Sequence, residues 1–394
     1  MNANEVAGER RSTNSAFAFD PGLTSRVFLL GAGFSKPAGL PLAAELLDQV
    51  LGVARSRWSV DSRSHLERDL DRYEDYLQDT DPGRLFDLEE FGAWLDWEHT
   101  LGLRGSDTWS DEGNESMLQL RWAIGHVLHK ATPTDLPDVY LEFARRLTTS
   151  DLVLTLNYDR LMERALQGVG LPYRRFPERY SEVYDTSCVV DANHPAELRL
   201  SKLHGSLDWV HLPLHQRATL LVDPLVEGPR PDDDPLRAVG VVPAAGLDSY
   251  YDDSNAWWQS PPLLLAPSTA KPLARSSLVP LWNGLLPLSY MRGSFAAIGC
   301  SLPAGDPYVR RVAHHMATEI GASIDQGGEL PWPQTRMKVV DMRTDRVAVH
   351  DLKERYRFMP NAHTDFILDG FSLNTLDQIL PPLSATTPEP GPKH

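Results

Sequence analysis

The sequence predicts an α/β protein: a doubly wound, parallel, Rossmann-like sheet with a large helical insertion. Three observations predict it. Short apolar runs recur along the chain, and each gives way to a polar, often glycine-bearing turn. Helical patterns separate several of those runs, as in a helix-covered parallel sheet. One run, Val27-Phe28-Leu29-Leu30, leads through Gly31-Ala32-Gly33-Phe34-Ser35 into a segment, Leu42 to Val50, with apolar residues at helical spacing. Such sheets bind ligands along the carboxyl ends of their strands, so the turns are where function is to be sought.

The first turn reads as a nucleotide-phosphate cradle. Gly31 and Gly33 permit close backbone approach, and N–H groups at a helix start favour negative charge. The alternative is a plain strand-to-helix turn. Two familiar cradles do not fit. Lys36 stands where a dinucleotide fingerprint has its third glycine, and Gly39 is followed by Leu40 where a P-loop has lysine.

Taken in order, residues 1–22 are small and polar and read as a flexible arm. The sheet core is expected in 23–44 and 148–375, interrupted by a helical insertion over 45–147. Within that insertion Leu66, Leu70, Tyr73 and Leu77 fall at helical spacing. Phe86 to Leu95 and Met117 to Lys130 suggest two more amphipathic helices, with Gly102 to Asn114 as a loop. His126 and His129, one turn apart, lack further metal ligands and read as a solvent-facing or packed pair.

Asp151 to Leu156 is a second buried strand that ends in Asn157-Tyr158-Asp159, with a helix from Leu161. Leu198 to Leu203 is a third, ending in His204-Gly205-Ser206. Residues 210–262 read as an irregular insertion with a solvated acidic run at Asp232 to Asp234. Leu263 to Ala266, Phe295 to Ile298 and Lys338 to Met342 complete the strands, with a helix from Tyr308 to Ile320. The Pro-, Ser- and Thr-rich tail, 380–394, is expected to be disordered.

Composition narrows the partners. The formal net charge is −16, which argues against a dedicated nucleic-acid surface. With only Cys188 and Cys300 present, a disulfide framework and a four-cysteine zinc site are excluded, and a reducing cytoplasm is expected. The first twenty residues lack the pattern of a signal peptide, and no apolar run is long enough to span a bilayer.

Four segments fall at strand ends: Gly31-Ala32-Gly33-Phe34-Ser35 with Gly39-Leu40-Pro41, Thr155-Leu156-Asn157-Tyr158-Asp159, His204-Gly205, and Gly299-Cys300-Ser301. In type and order they resemble the motifs of the sirtuin-like family. The resemblance implies a doubly wound sheet that binds NAD in an extended groove. It implies that Gly31, Ala32, Gly33 and Ser35 line the pyrophosphate, with Thr155 in the same pocket. Asn157 would hold the nicotinamide ribose, Asp159 the carboxamide, and His204 would be the general base. Gly299 and Ser301 would meet the adenosine ribose and phosphate. Departures point within the family. Leu42-Ala43-Ala44 replaces the Asp-Phe-Arg run of sirtuin deacylases, Leu156 replaces a glutamine, and no zinc ribbon can form. The pattern is similar to that of bacterial NAD hydrolases of antiphage defence, which carry helical insertions instead of the zinc module.

The chemistry is consistent with that implication. Cleaving the N-glycosidic bond of NAD builds an oxocarbenium-like transition state. It needs a held ribose, polar groups near the anomeric carbon and a base, and Asn157, Asp159 and His204 supply those types. Taken alone His204 reads rather as a core histidine, and the other three motifs reverse that reading; Asn157 reads also as a helix cap, a role that does not exclude the first. Cys300 reads as a small core residue. Ser268 and Lys271 read as residues bounding the pocket with no mechanism of their own, and Trp257-Trp258 and Trp282 as an interface or equally as buried anchors. The expected function is an NAD glycohydrolase, with NAD as substrate and no metal. The alternatives are an NAD-dependent protein deacylase and a non-catalytic nucleotide-sensing subunit. The expected state is a homo-oligomer joined through the helical block, and the resemblance adds an Argonaute-type protein or a ring ATPase as partner.

Overall fold

The computed structural model describes residues 26–58, 64–84, 86–103, 113–178, 180–184, 187–190, 197–211, 239–265, 278, 282, 294–302, 306–325 and 337–382. In chain order the elements are β1 (Val27–Leu30), the short α1 (Ala32–Ser35), α2 (Ala43–Trp58), α3 (His65–Thr80), α4 (Leu88–Thr100), α5 (Glu115–Ala131) and α6 (Asp138–Arg145). Then come β2 (Leu152–Thr155), α7 (Leu161–Val169), β3 (Tyr173–Arg175), β4 (Tyr180–Tyr184), β5 (Ser187–Val190), β6 (Leu198–Lys202), β7 (Gly205–His211) and β8 (Val239–Val241). The rest are α8 (Leu247–Asp252), α9 (Ala256–Gln259), β9 (Pro262–Leu264), β10 (Phe295–Ile298), α10 (Pro307–Asp325), β11 (Met337–Val340), α11 (Arg346–Arg355), β12 (Thr364–Ile367) and α12 (Leu373–Ile379).

Seven strands pair in the order β12-β11-β10-β1-β2-β6-β3, and every pairing is parallel. This is the doubly wound sheet that the apolar runs predict. The chain runs outward from β1 on one side and returns to its other side with β10, so the switch point lies between β1 and β10. Side chains alternate across the sheet. Phe28, Leu30, Val153, Leu198 and Ile298 enter one apolar cluster with α2 to α7. Val27, Leu29, Leu154, Ala297 and Val339 enter a second, with α10 and α11.

The helical block is the crossover from β1 to β2. A single helix would serve; here α2 to α6 do so, and their buried residues share one core with the sheet face. The insertion over 45–147 therefore packs as part of the core. Its helices start where side chains take the first free amides. Ser64 and Glu67 form a capping box, Asp87 accepts from Glu89 and Glu90 N–H, and Asn114 accepts from Met117 N–H. Gly125 leaves room for a tyrosine to cross α5, since a Cβ there would lie 2.2 Å from Tyr251 Oη. That hydroxyl, from α8, reaches over the helix and donates to the Leu207 carbonyl on β7 at 2.6 Å.

Two expectations are corrected. The described part of 210–262 is not irregular: β8 and β9 flank β7 in a small antiparallel sheet, with α8 and α9 packed on α5. The strand expected from Leu263 belongs to that sheet, where Gly205 pairs with Leu264, and not to the parallel one. β3 and β12, at the two edges, were not expected as strands. The arm over 1–22, Asp232 to Asp234, Ser268, Lys271 and the tail beyond 382 lie outside the described residues. Among the described residues, no helix is long and apolar enough to cross a membrane.

Candidate functional site

The register brings the four sequence segments together. Leu30 lies opposite Ile298 on one side and Thr155 on the other, and Thr155 lies opposite Lys202. The Gly31, Asn157, His204 and Gly299 segments all begin just beyond this row, at the carboxyl edge of adjacent strands.

The turns after β1 and β10 interlock. Gly31 N–H donates to the Ile298 carbonyl at 3.0 Å, and Gly33 N–H to the Gly299 carbonyl at 2.9 Å. A Cβ on Gly299, whose φ is +61°, would lie 2.1 Å from the Phe34 amide nitrogen, and one on Gly31 would lie 2.5 Å from the Gly299 oxygen. The glycines are needed for this contact between backbones. Two of the amides expected to cradle phosphate are thus committed to the neighbouring turn. Ala32 remains exposed at the rim, with Gly33, Gly299 and Ser301 half-buried beside it. Arg355 Nη1 donates to the Ser301 carbonyl at 3.3 Å and sets a cation next to that turn.

Ser35 and Asn157 face each other across the β1–β2 boundary. Asn157 Nδ2 donates to the Gly31 carbonyl at 2.8 Å and to Ser35 Oγ at 3.0 Å. Its backbone N–H donates to Thr155 Oγ1 at 3.1 Å. The donor end of the amide is therefore spent on holding the turn, while among the described residues nothing donates to Oδ1 of this half-buried side chain. Ser35 Oγ in turn donates to Asp159 Oδ2 at 2.6 Å, and Leu161 N–H, which opens α7, donates to Asp159 Oδ1 at 3.0 Å. It is the Asp159 side chain, not that of Asn157, that takes an amide at this helix start, where Arg160 is the N-cap residue.

Beneath Asp159 lies a buried ionic layer. Lys202 Nζ donates to the Asp159 carbonyl and pairs with Glu163 at 3.1 Å. Arg175 joins Glu163 at 3.0 Å to Asp208 at 2.9 Å, and Arg160 approaches Asp208 at 3.2 Å. Burial pushes the Asp159 carboxyl above its usual range, against the pull of Lys202 and the Ser35 hydrogen bond. For Glu163 burial acts the same way, but Lys202 and Arg175 outweigh it and hold the carboxyl below its usual range.

His204 sits on the other side of the β6 end. Gly205 follows with φ +89°, where a Cβ would lie 2.0 Å from the Leu263 oxygen, so the His-Gly turn can be made only with glycine. The His204 carbonyl accepts from Leu265 N–H at 2.9 Å. The ring is buried and its Nε2 lies 2.9 Å from Tyr308 Oη, which donates to Asp306 Oδ1 at 2.9 Å. Trp282 Nε1 donates to the Leu203 carbonyl at 3.1 Å, and its ring stands edge-on to Tyr308 at 4.8 Å. Sequence reasoning did not find this Asp306–Tyr308–His204 chain. Its only trace was an acidic residue before a helix start with an aromatic hydroxyl two positions on.

Other candidates resolve into packing. His126 Nδ1 donates to the Tyr251 carbonyl at 2.8 Å, and His129 Nε2 to Asp248 at 3.0 Å, so both join α5 to α8. Cys300 is buried, which pushes its thiol up to about 11. Among the described residues no group of three or more His, Cys, Asp and Glu side chains could hold a metal ion.

Comparison with known proteins adds one sequence match and several structural ones. Residues 151–223, the stretch holding Thr155, Asn157, Asp159 and His204, match the SIR2-like domain family. No curated protein matches the chain. Among solved structures, one described as the structural basis of sirtuin substrate affinity aligns at 10% identity and TM-score 0.36, covering 90% of this chain and 93% of that one. Sir2Tm bound to a propionylated peptide aligns at 12% identity and TM-score 0.33, over 90% of this chain and 92% of that one.

Proposed function

We propose that the chain is an NAD glycohydrolase that cleaves NAD to nicotinamide and ADP-ribose. The observation that carries the reading is the convergence of Ser35, Asn157, Asp159 and His204 on one strand-end row beside the β1/β10 switch point. The match of residues 151–223 to the SIR2-like domain supports the choice of NAD.

The bond arrangement suggests how the work is divided. The rim formed by Ala32, Gly33, Gly299 and Ser301, with Arg355 alongside, suits the pyrophosphate and adenosine half of NAD. Asn157 Oδ1 is an acceptor without a partner among the described residues, suited to a ribose hydroxyl or an attacking water. Asp159 serves through Ser35 by fixing the amide's orientation. His204 takes the proton released as water or a ribose hydroxyl attacks the oxocarbenium-like centre. In a cell such activity depletes NAD, and we place it in antiphage defence, as the helical block in place of a zinc module suggests.

Purified chain incubated with NAD and no acylated peptide is expected to release nicotinamide. Absence of release, together with no heat on titrating NAD in a calorimeter, overturns the reading. In phage-challenged cells the wild type is expected to protect, and its His204→Ala variant to fail.

A further inference from the structure

Resting on that reading, we infer that Tyr308 is a positioning residue for His204: pinned by Asp306, its hydroxyl accepts the Nε2 proton and holds the imidazole in the tautomer whose Nδ1 is basic. Tyr308 Oη lies 2.9 Å from Asp306 Oδ1 and 2.9 Å from His204 Nε2. A phenol has one hydrogen, and an ionised carboxylate only accepts. The phenol proton therefore goes to Asp306, and a lone pair faces Nε2. Two acceptors do not sit at hydrogen-bond distance, so Nε2 carries hydrogen and Nδ1 the lone pair. Burial, and then the Asp306 charge, push the phenol above its ordinary range, so it keeps that hydrogen at working pH.

The arrangement also has a charge consequence. When His204 takes a proton, the positive imidazolium lies one hydroxyl away from the Asp306 carboxylate. Tyr308 thus conveys to His204 the effect of a carboxylate that its Nε2 does not touch directly. The phenol oxygen is not what packs the ring, because Trp282 already stands edge-on to it. Other charges also bear on the site. Glu89 of α4 and Tyr158 act on Tyr308, while Arg121 of α5 acts on Tyr158. Lys202, two residues before His204, turns away toward Glu163.

The test uses the full chain and its Tyr308→Phe and Asp306→Asn variants. Nitrogen-15 spectra of histidine-labelled protein, with His204 assigned by difference from His204→Gln, are expected to show the Nε2–H tautomer. In Tyr308→Phe they should show a mixture. A wild-type Nδ1–H tautomer, or a spectrum that Tyr308→Phe leaves unchanged, overturns the inference. This readout stands whether or not NAD is cleaved, so its failure is distinct from failure of the proposed activity. In kinetics, Tyr308→Phe should lower kcat about 10²-fold with KM little changed. The acid limb of its pH profile should move to lower pH, since a carboxylate that stabilised the imidazolium has been disconnected. Asp306→Asn should add little in the Tyr308→Phe background, and full additivity of the two losses counts against the chain of contacts.

Discussion

On one face of the sheet, Lys202, Glu163, Arg175 and Asp208 form a buried ionic layer under Asp159, which Ser35 ties to Asn157. On the other, Trp282 and Tyr308 wall in His204 with two rings and one hydroxyl. One strand, β6, serves both, sending Lys202 to the first side and His204, just past its end, to the second. The difference lies in what a deletion leaves behind. On the ionic side each charge answers another, so removing one strands its partner in low dielectric. On the aromatic side the Tyr308 proton stays with Asp306 when the imidazole is gone. Chemistry and stability should therefore separate around His204 and be entangled around Asp159.

The widest separation is expected at His204. His204→Ala should reduce nicotinamide release by about 10³-fold or more, while the melting temperature moves by only a few degrees. A collapse of the melting curve would show that the aromatic side is as structural as the ionic one. At Asn157 the separation is narrower. Asn157→Ala should lower turnover by about 10² to 10³ and leave NAD affinity within roughly tenfold, about 1.4 kcal/mol. The Gly31 carbonyl still accepts from Phe34 N–H at 2.9 Å, so the turn should hold. Calorimetry and a release assay on one preparation check this, and a parallel fall of binding and turnover makes Asn157 a mere brace.

The smallest effect on chemistry and the largest on stability are expected from Glu163→Gln. Taking one partner from a buried ion pair costs about 3–5 kcal/mol at pH 7. The sign with pH follows from the depressed carboxyl. Its contribution is full above the unfolded value, about 4.3, and is lost as pH falls through the folded value. Wild type should thus lose stability on acidification below about pH 4, and the variant less. Denaturant melts at neutral and acid pH decide it; equal losses in both proteins would remove Glu163 from the account.

Much of this was written in the sequence. β1, β2, β6, β10 and β11 are buried on both faces; the apolar runs of β1, β2, β10 and β11 showed as such, and β6 showed through Leu198, Leu200 and the Leu203 that follows it. The edge strands were hidden because Tyr173-Arg174-Arg175 and Thr364-Asp365-Phe366-Ile367 carry too little apolar pattern. β7 was read only as a motif, since Ser206 and Asp208 occupy buried positions that Arg175 makes tenable for the aspartate. The motif residues were found because each lies beside its strand end. The Tyr308 relay was not, because its partner is 104 residues away in sequence and nothing local marks the pair.

Gly125 and Tyr251 carry one more consequence, for how this molecule can be taken apart. An inserted block is ordinarily severable: cut it out, rejoin the ends, and the host sheet survives. Here a tyrosine from beyond the block passes over its helix to bond a strand that continues directly from His204-Gly205. The helices also fill one face of the sheet. Excising them would bare that face and deprive Tyr251 of the groove that guides it to Leu207. The boundaries drawn at 45 and 147 thus mark a stretch of sequence, not a module with a life of its own.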